Sequence, residues 1–478
     1  MPAGTAFSRR RFLGVSVASA VASAGAYGLI ERLAPPQARW RADLVDYVRR
    51  PDLPVEQYLF CETAVVANDG VEVDVPPLHH EVVTATLKVD PSAAALRRAG
   101  AELEKVLSSL EDEGLLTYTP AGLGLAVVWG LPYFATFIDA SVRARYLPLD
   151  VASPKVDGAY RQALLASLRF ATDPDSTILE ENHVAVVMAS DSLTHLANAY
   201  SAIFEGSVAG LFEVTSRRKG FVDATKLGKS GQSLTKQFAL ANKLPEAASI
   251  PDQSPLFLGF TSSQTAAQGQ RAIANFESLG MTNQKAGSYF AGGTVLALSH
   301  LFENLGEWYS RNAYTDRVDI MFRPGLGKST KKGTLTLSES DPEDARDIES
   351  DIGAYGLVGH AGSMQPVSRL QADKNGYSKG AAIPVRADFN TVDNPFAYSS
   401  DPARDGWSSY PQAGLHFLTY VPTSSYFTQL RAAMDGGLKA GSAPFQAFVN
   451  SAVLHTTHRQ NFLVPPRAHR SFPLVEFL

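Results

Sequence analysis

The residues with the most chemical potential lie between Asp351 and Phe389. His360 follows Gly359 there; Gly362, Met364 and Arg369 come after it, and Arg386 stands near the end. A histidine can ligate a metal ion or haem iron. Gly359 leaves no side chain beside it, so a flat ligand could approach the backbone closely. Met364 offers a soft thioether. Arg386 stays cationic at any ordinary pH and could steady a negative charge opposite the histidine. The stretch is the candidate site for a metal or for haem.

Other chemistries find less in the chain. It has no dinucleotide fingerprint, phosphate loop, nucleophile elbow or HExxH motif. Ser190-Asp191-Ser192 and Ser262-Ser263 have no recognisable acid–base partner. His79 and His80 are adjacent, and adjacent residues of an extended chain point to opposite faces, so they make a poor metal pair. His455 and His458 are spaced to share a face if that segment is helical. Cys61 is the only cysteine, which excludes an internal disulfide, a cysteine-rich metal cluster and covalent haem attachment. A net charge of −5 offers nothing to wrap nucleic acid.

The first thirty residues have a separate character. Ser8-Arg9-Arg10-Arg11-Phe12-Leu13 precedes an uncharged run of small and apolar residues from Gly14 to Ile30. A basic head before a short, weakly apolar core is an export signal of the twin-arginine type. The run is short and poor in large apolar side chains for a membrane anchor. Cleavage after Ala24 or Ala26 would release the protein to the periplasm, cell surface or medium. Contact with the membrane would then be transient, unless the signal stays uncleaved.

The remaining elements must position the candidate site. Residues 31–56 read as an arm. From residue 57 to 250 the order is strand, helix, strand, repeated. The helices are Pro91–Asp112, with Leu96, Leu103, Leu107 and Leu110 at helical spacing, and Ser192–Phe204. The segment 161–170 also reads as helical, and 227–255 as a polar surface loop. From 251 to 478 the β-α-β logic recurs. LFLGF (256–260) reads as a strand broken by glycine, and GTVLALSHLFENLGEW (293–308) as a strand entering a helix with Leu301, Leu305 and Trp308 on one face. The predicted fold is α+β: two fused ferredoxin-like β-α-β units with antiparallel sheets, of the dimeric α/β-barrel type, one at 57–250 and one at 251–478.

Several of these pieces together resemble the dye-decolourising peroxidase superfamily. Leu256–Ser263 resembles its Gly-Phe-x-Asp-Gly turn, and Gly287–Trp308 its GSY/GGT strand and tryptophan-ended helix. His360 with Arg369 resembles the proximal-histidine region, Arg386 the distal arginine, and Gly414–Phe427 the Gly-Leu-x-Phe strand. The resemblance implies haem b ligated by His360, with Arg369, Phe260 and Met364 around it. It also implies a carboxylate such as Glu349 or Asp351 behind the histidine, and a catalytic pair of Arg386 and Ser262. Ser262 stands where the family has its aspartate, and a hydroxyl is a poor acid–base group at neutral pH. Ser263 replaces the next glycine, and His360-Ala361-Gly362 replaces the usual His-Ile-Arg region. The implied activity is a peroxidase-like oxidation by hydrogen peroxide of a small organic reductant. The alternative is a haem-free or non-catalytic ligand-binding protein on the same fold. The expected partners are the small-molecule substrate and the twin-arginine translocase; a homo-oligomer is compatible with the fold.

Overall fold

In this computed structural model the described residues are 27–30, 33, 55–57, 64–68, 71–111, 122–222, 231–252, 254–259, 274–321, 365–372, 374–377, 382–392, 412–435 and 449–478. A two-stranded ribbon, β1 (Ala64–Asn68) and β2 (Val71–Val75), leads into the body. There follow β3 (His79–Leu87), α1 (Ala93–Leu110), β4 (Gly124–Gly130), α2 (Leu131–Phe137) and α3 (Ala140–Tyr146). Short strands β5 (Leu149–Asp150), β6 (Arg161–Gln162) and β7 (Ile178–Leu179) precede β8 (Val184–Ser190), α4 (Leu193–Phe204), β9 (Phe212–Phe221) and α5 (Leu234–Ala241). The second half has β10 (Thr294–Glu303), α6 (Leu305–Arg311), α7 (Tyr314–Met321), α8 (Gln365–Ser368), β11 (Val385–Arg386), β12 (Phe389–Thr391), β13 (Gly414–Val421), α9 (Ser424–Met434) and β14 (Leu454–Val464).

The α+β class holds, but the expected architecture does not. Instead of two antiparallel sheets, one mixed sheet of ten strands takes members from both halves, in the order β10-β13-β12-β9-β3-β8-β4-β14-β7, with β11 beside β13. β7 runs parallel to β14. β10 also pairs with β14, so the sheet bends back on itself, yet it is not a closed barrel. The halves meet through thin pairings: Asn390 with Phe221 on one side, and on the other Leu463 and Phe462 with Trp129 and Gly130, and His458 and Arg459 with Ile178 and Leu179. Ladder bonds are so few there that side chains must do much of the joining.

Within the first half, the order β9-β3-β8-β4 keeps a twofold β-α-β course. The spacing that predicted α1 is its buried stripe: Leu96, Leu103, Leu107 and Leu110 all sit in the core. Other local expectations change. Residues 161–170 hold only β6 and irregular chain, and Leu301 is in β10 rather than on a helix with Leu305. The supposed surface loop contains α5, capped by the Ser233 side chain and buried through Leu234 and Phe238. His455 and His458 lie on β14, so they do not share a helical face.

The thin seam between β9 and β12 has a brace from outside the sheet. Residues 27–30 form a helical turn in which Tyr27 and Ile30 are buried. The Tyr27 hydroxyl donates to the Lys219 carbonyl of β9 (2.8 Å) and lies 3.3 Å from Thr391 Oγ1 of β12. Its ring stacks towards Phe238 of α5, with centroids 6.4 Å apart. A turn read from sequence as the end of the export signal is therefore part of the folded body. Tyr27→Ala should lower the urea-unfolding free energy of the full chain by about 3 kcal/mol, and Tyr27→Phe by about 1 kcal/mol; equal stability in all three proteins would remove the brace.

Candidate functional site

Alternation along one extended stretch sets the site. Val385, Ala387 and Phe389 pack against the inner apolar cluster formed by Val82, Leu298, Leu418, Tyr420 and Phe462, among others. Arg386, Asp388 and Asn390 therefore leave on the opposite face, in a row. Arg386 is exposed and paired through its backbone with Thr419 of β13. Asn390 is fully buried and works as a clamp. Its Oδ1 accepts from the Phe257 amide (3.2 Å), and its Nδ2 donates to the Pro255 carbonyl (2.8 Å).

The clamp holds the chain just before Phe260. Leu256–Gly259 is a turn rather than the expected strand, closed by the Gly259 amide on the Leu256 carbonyl (3.1 Å). Gly259 has φ +91°, and a Cβ there would come 2.8 Å from the Tyr309 hydroxyl, so glycine is required. Helix α6 grips the same turn: Tyr309 donates to the Phe257 carbonyl (2.6 Å), and the Trp308 indole N–H to the Leu258 carbonyl (2.9 Å). Three pieces far apart in sequence are thus fastened to one another: the Leu256–Gly259 turn, the helix carrying Trp308 and Tyr309, and the strand carrying Arg386.

Asp388 was not singled out from the sequence. Its Oδ1 accepts from the Leu418 amide (3.0 Å), replacing a ladder bond between the short strands β11 and β12. The residue is half-buried. Burial pushes the carboxyl up to about 7, against the opposing pull of the Arg386 charge. Glu303, at the end of β10, is buried with neither oxygen hydrogen-bonded among the described residues, and burial raises it to about 8. Only folding revealed either environment; an aspartate two residues after an arginine is a weak sequence signal.

Of the other sequence-selected residues, Arg369 is buried and forms a β-bridge with Ala382, just before β11. Ser262, Phe260, His360, Met364, Glu349 and Asp351 lie outside the described residues. Three other histidines form a separate feature. His416, His300 and His458 face one another on the consecutive strands β13, β10 and β14, a single rung across the sheet. The rung is buried on the inner face, opposite Arg386, with the His300 and His416 rings 4.9 Å apart and Phe389 5.0 Å from His416. His300 Nδ1 lies 2.6 Å from Thr457 Oγ1, and neither ring nitrogen of His416 has a hydrogen-bond partner among the described residues. Among the described residues, no group of three or more His, Cys, Asp or Glu is arranged to hold a metal ion.

The family model described as a family of unknown function, DUF7405, matches residues 77–466. The chain belongs to that family. No curated protein matches it in sequence. Among solved structures, it is similar to a putative dye-decolourising-type peroxidase of Shewanella oneidensis (17% identity, 86% of this chain and 97% of the other, TM-score 0.49). It is also similar to a peroxidase of this type from Cellulomonas bogoriensis (15%, 86% and 98%, 0.49) and to a DypB variant of Rhodococcus jostii in complex with heme (13%, 85% and 99%, 0.48). That likeness says nothing of activity. No helix among the described residues is long and apolar enough to cross a membrane.

Two outcomes follow from this geometry. Asn390→Leu leaves the Phe257 amide and Pro255 carbonyl without their partner, so it should cost about 1–3 kcal/mol and speed hydrogen exchange at Phe257; unchanged exchange would mean that the clamp is idle. The second concerns the rung. Burial and the Arg218 charge lower His300 to about 3. Its contribution is therefore full above the unfolded value of about 6.5 and is lost as pH falls towards 3. Glu303 and Asp388, held protonated, act in the opposite sense. The informative comparison is therefore with His300→Phe: between pH 6.5 and 5 the natural chain should lose about 2 kcal/mol relative to the variant. Parallel pH–stability curves would refute the neutral rung.

Proposed function

We propose that the chain is a haem-dependent, peroxidase-like oxidoreductase that acts on hydrogen peroxide and a small organic reductant after twin-arginine export. The observation that carries this reading is the row Arg386–Asp388–Asn390, on one face of the sheet, tied to the Leu256–Gly259 turn. An exposed guanidinium on a rigid strand suits the distal side of such a site. Its fixed charge can bind peroxide and stabilise negative charge developing on oxygen. The rigidity comes from the clamp and from α6, which leave the backbone around the row little freedom to adjust.

Haem suits the chemistry of this donor set: a cation and an acid share the face, and the rung histidines point away from it. His360 would ligate the iron, with Glu349 or Asp351 orienting its Nδ1–H. Arg369, Phe260 and Met364 would line the group. When bound, haem supplies the electrons that cleave peroxide and carries the oxidising equivalents to the reductant. Of the chain's own residues, Arg386 would bind and orient the peroxide. Ser262 can donate a hydrogen bond but cannot exchange a proton efficiently.

The test is spectroscopic. Exported protein from cells supplied with haem precursor should show a Soret band that is lost in His360→Ala and kept in Arg386→Gln. In the latter, peroxide turnover should fall about 10²–10³-fold. A haem-saturated preparation with no band would refute the reading and favour the haem-free, ligand-binding alternative.

A further inference from the structure

The missing aspartate at position 262 leaves the proposed reaction without an acid–base group, and the fold places another carboxyl beside Arg386. We infer that Asp388 is the proton-accepting residue of this face, taking over the work that Ser262 cannot do. The inference rests on the reading above. It adds a residue that neither the family match nor the sequence resemblance assigns.

Three observations support it. Asp388 stands two residues from Arg386 in extended chain, and the packing of Val385, Ala387 and Phe389 on the inner cluster fixes both side chains on the other face. Its Oδ1 is held by the Leu418 amide, which fixes the carboxyl and leaves Oδ2 to meet a proton donor. Finally, burial raises the carboxyl to about 7, where it can both take up and release a proton at working pH. The ordinary role for such an aspartate is to patch a broken strand, and the Leu418 bond does that. That role needs only one oxygen, and it does not explain why the carboxyl shares its face with an exposed arginine.

The step is a proton transfer. Ionised Asp388 accepts a proton from one oxygen of hydrogen peroxide at Oδ2 and returns it to the other; the residue only moves the proton, and the two electrons that break the O–O bond, together with acceptance of the oxygen not released as water, would come from haem when bound. Asp388 ends in the protonation state in which it began. Arg386 stays protonated throughout and favours the ionised carboxylate, so its loss should make Asp388 a weaker acid.

The test uses the full chain with aspartate labelled by ¹³C at Cγ, followed by NMR across the pH range. One carboxyl should titrate near pH 7, be absent from the spectrum of Asp388→Asn, and move to higher pH in Arg386→Gln. The amide of that first variant still accepts from Leu418 N–H, so the fold should survive. A near-neutral titration that persists in Asp388→Asn, or no such titration in the natural chain, overturns the inference whether or not haem binds. In haem-loaded protein, Asp388→Asn should keep the Soret band, lose the break near pH 7 in the rate of peroxide consumption, and slow that rate about 10²–10⁴-fold. An unchanged pH–rate profile with the band intact would sink the role of Asp388 while leaving the haem reading standing. A missing band in the natural chain would sink the haem reading.

Discussion

The structure depends most on how a sheet built from two halves is joined where its backbone offers almost nothing. Between β9 and β12 there is a single residue pair, Phe221 with Asn390. Asn390 is also the residue whose amide clamps Pro255 and Phe257. One buried side chain therefore stands at the meeting of the first half, the second half and the turn that leads to the candidate site. Buried amides are costly when unpaired and stiffening when satisfied, so this junction converts hydrogen-bond satisfaction into a fixed position for the strand before it. Arg386 and Asp388 inherit that position.

The other side of the strand has a different character. The inner face is apolar along much of its length, then turns polar at the rung of His416, His300 and His458 beside buried Arg218, which pairs with Glu180 at 2.5 Å. Burial, together with that cationic neighbour, favours neutral imidazoles. The sheet thus separates a buried rung of neutral imidazoles from an opposite row that carries the permanent charge of Arg386. A Tyr27 turn closes over the same junction, so the N-terminal segment contributes to a structure that sequence alone divides into signal, arm and body.

Much of the local structure was legible in the chain. Regular spacing marked α1, and the order of the family-like pieces matched the elements that the fold fastens together. What failed was long-range. Periodicity specifies which face of a strand is buried but not which strand lies beside it, so one mixed sheet was read as two antiparallel ones. Leu301 fell at helical spacing from Leu305 by coincidence across a strand–helix boundary. The buried helix α5 hid behind polar residues because its apolar side is short. Asp388 was illegible for a simpler reason: its altered acidity comes from enclosure by chain elements distant in sequence.

In the proposed haem site, the face of Arg386, Asp388 and Asn390 would form one wall. Hydrogen–deuterium exchange on the full chain, with and without added haemin, tests it most directly. Haemin should slow exchange together at residues 254–259 and 385–391, with no matching change along the buried rung at His300 and His416. Protection confined to other segments, or none with haemin bound, would contradict it.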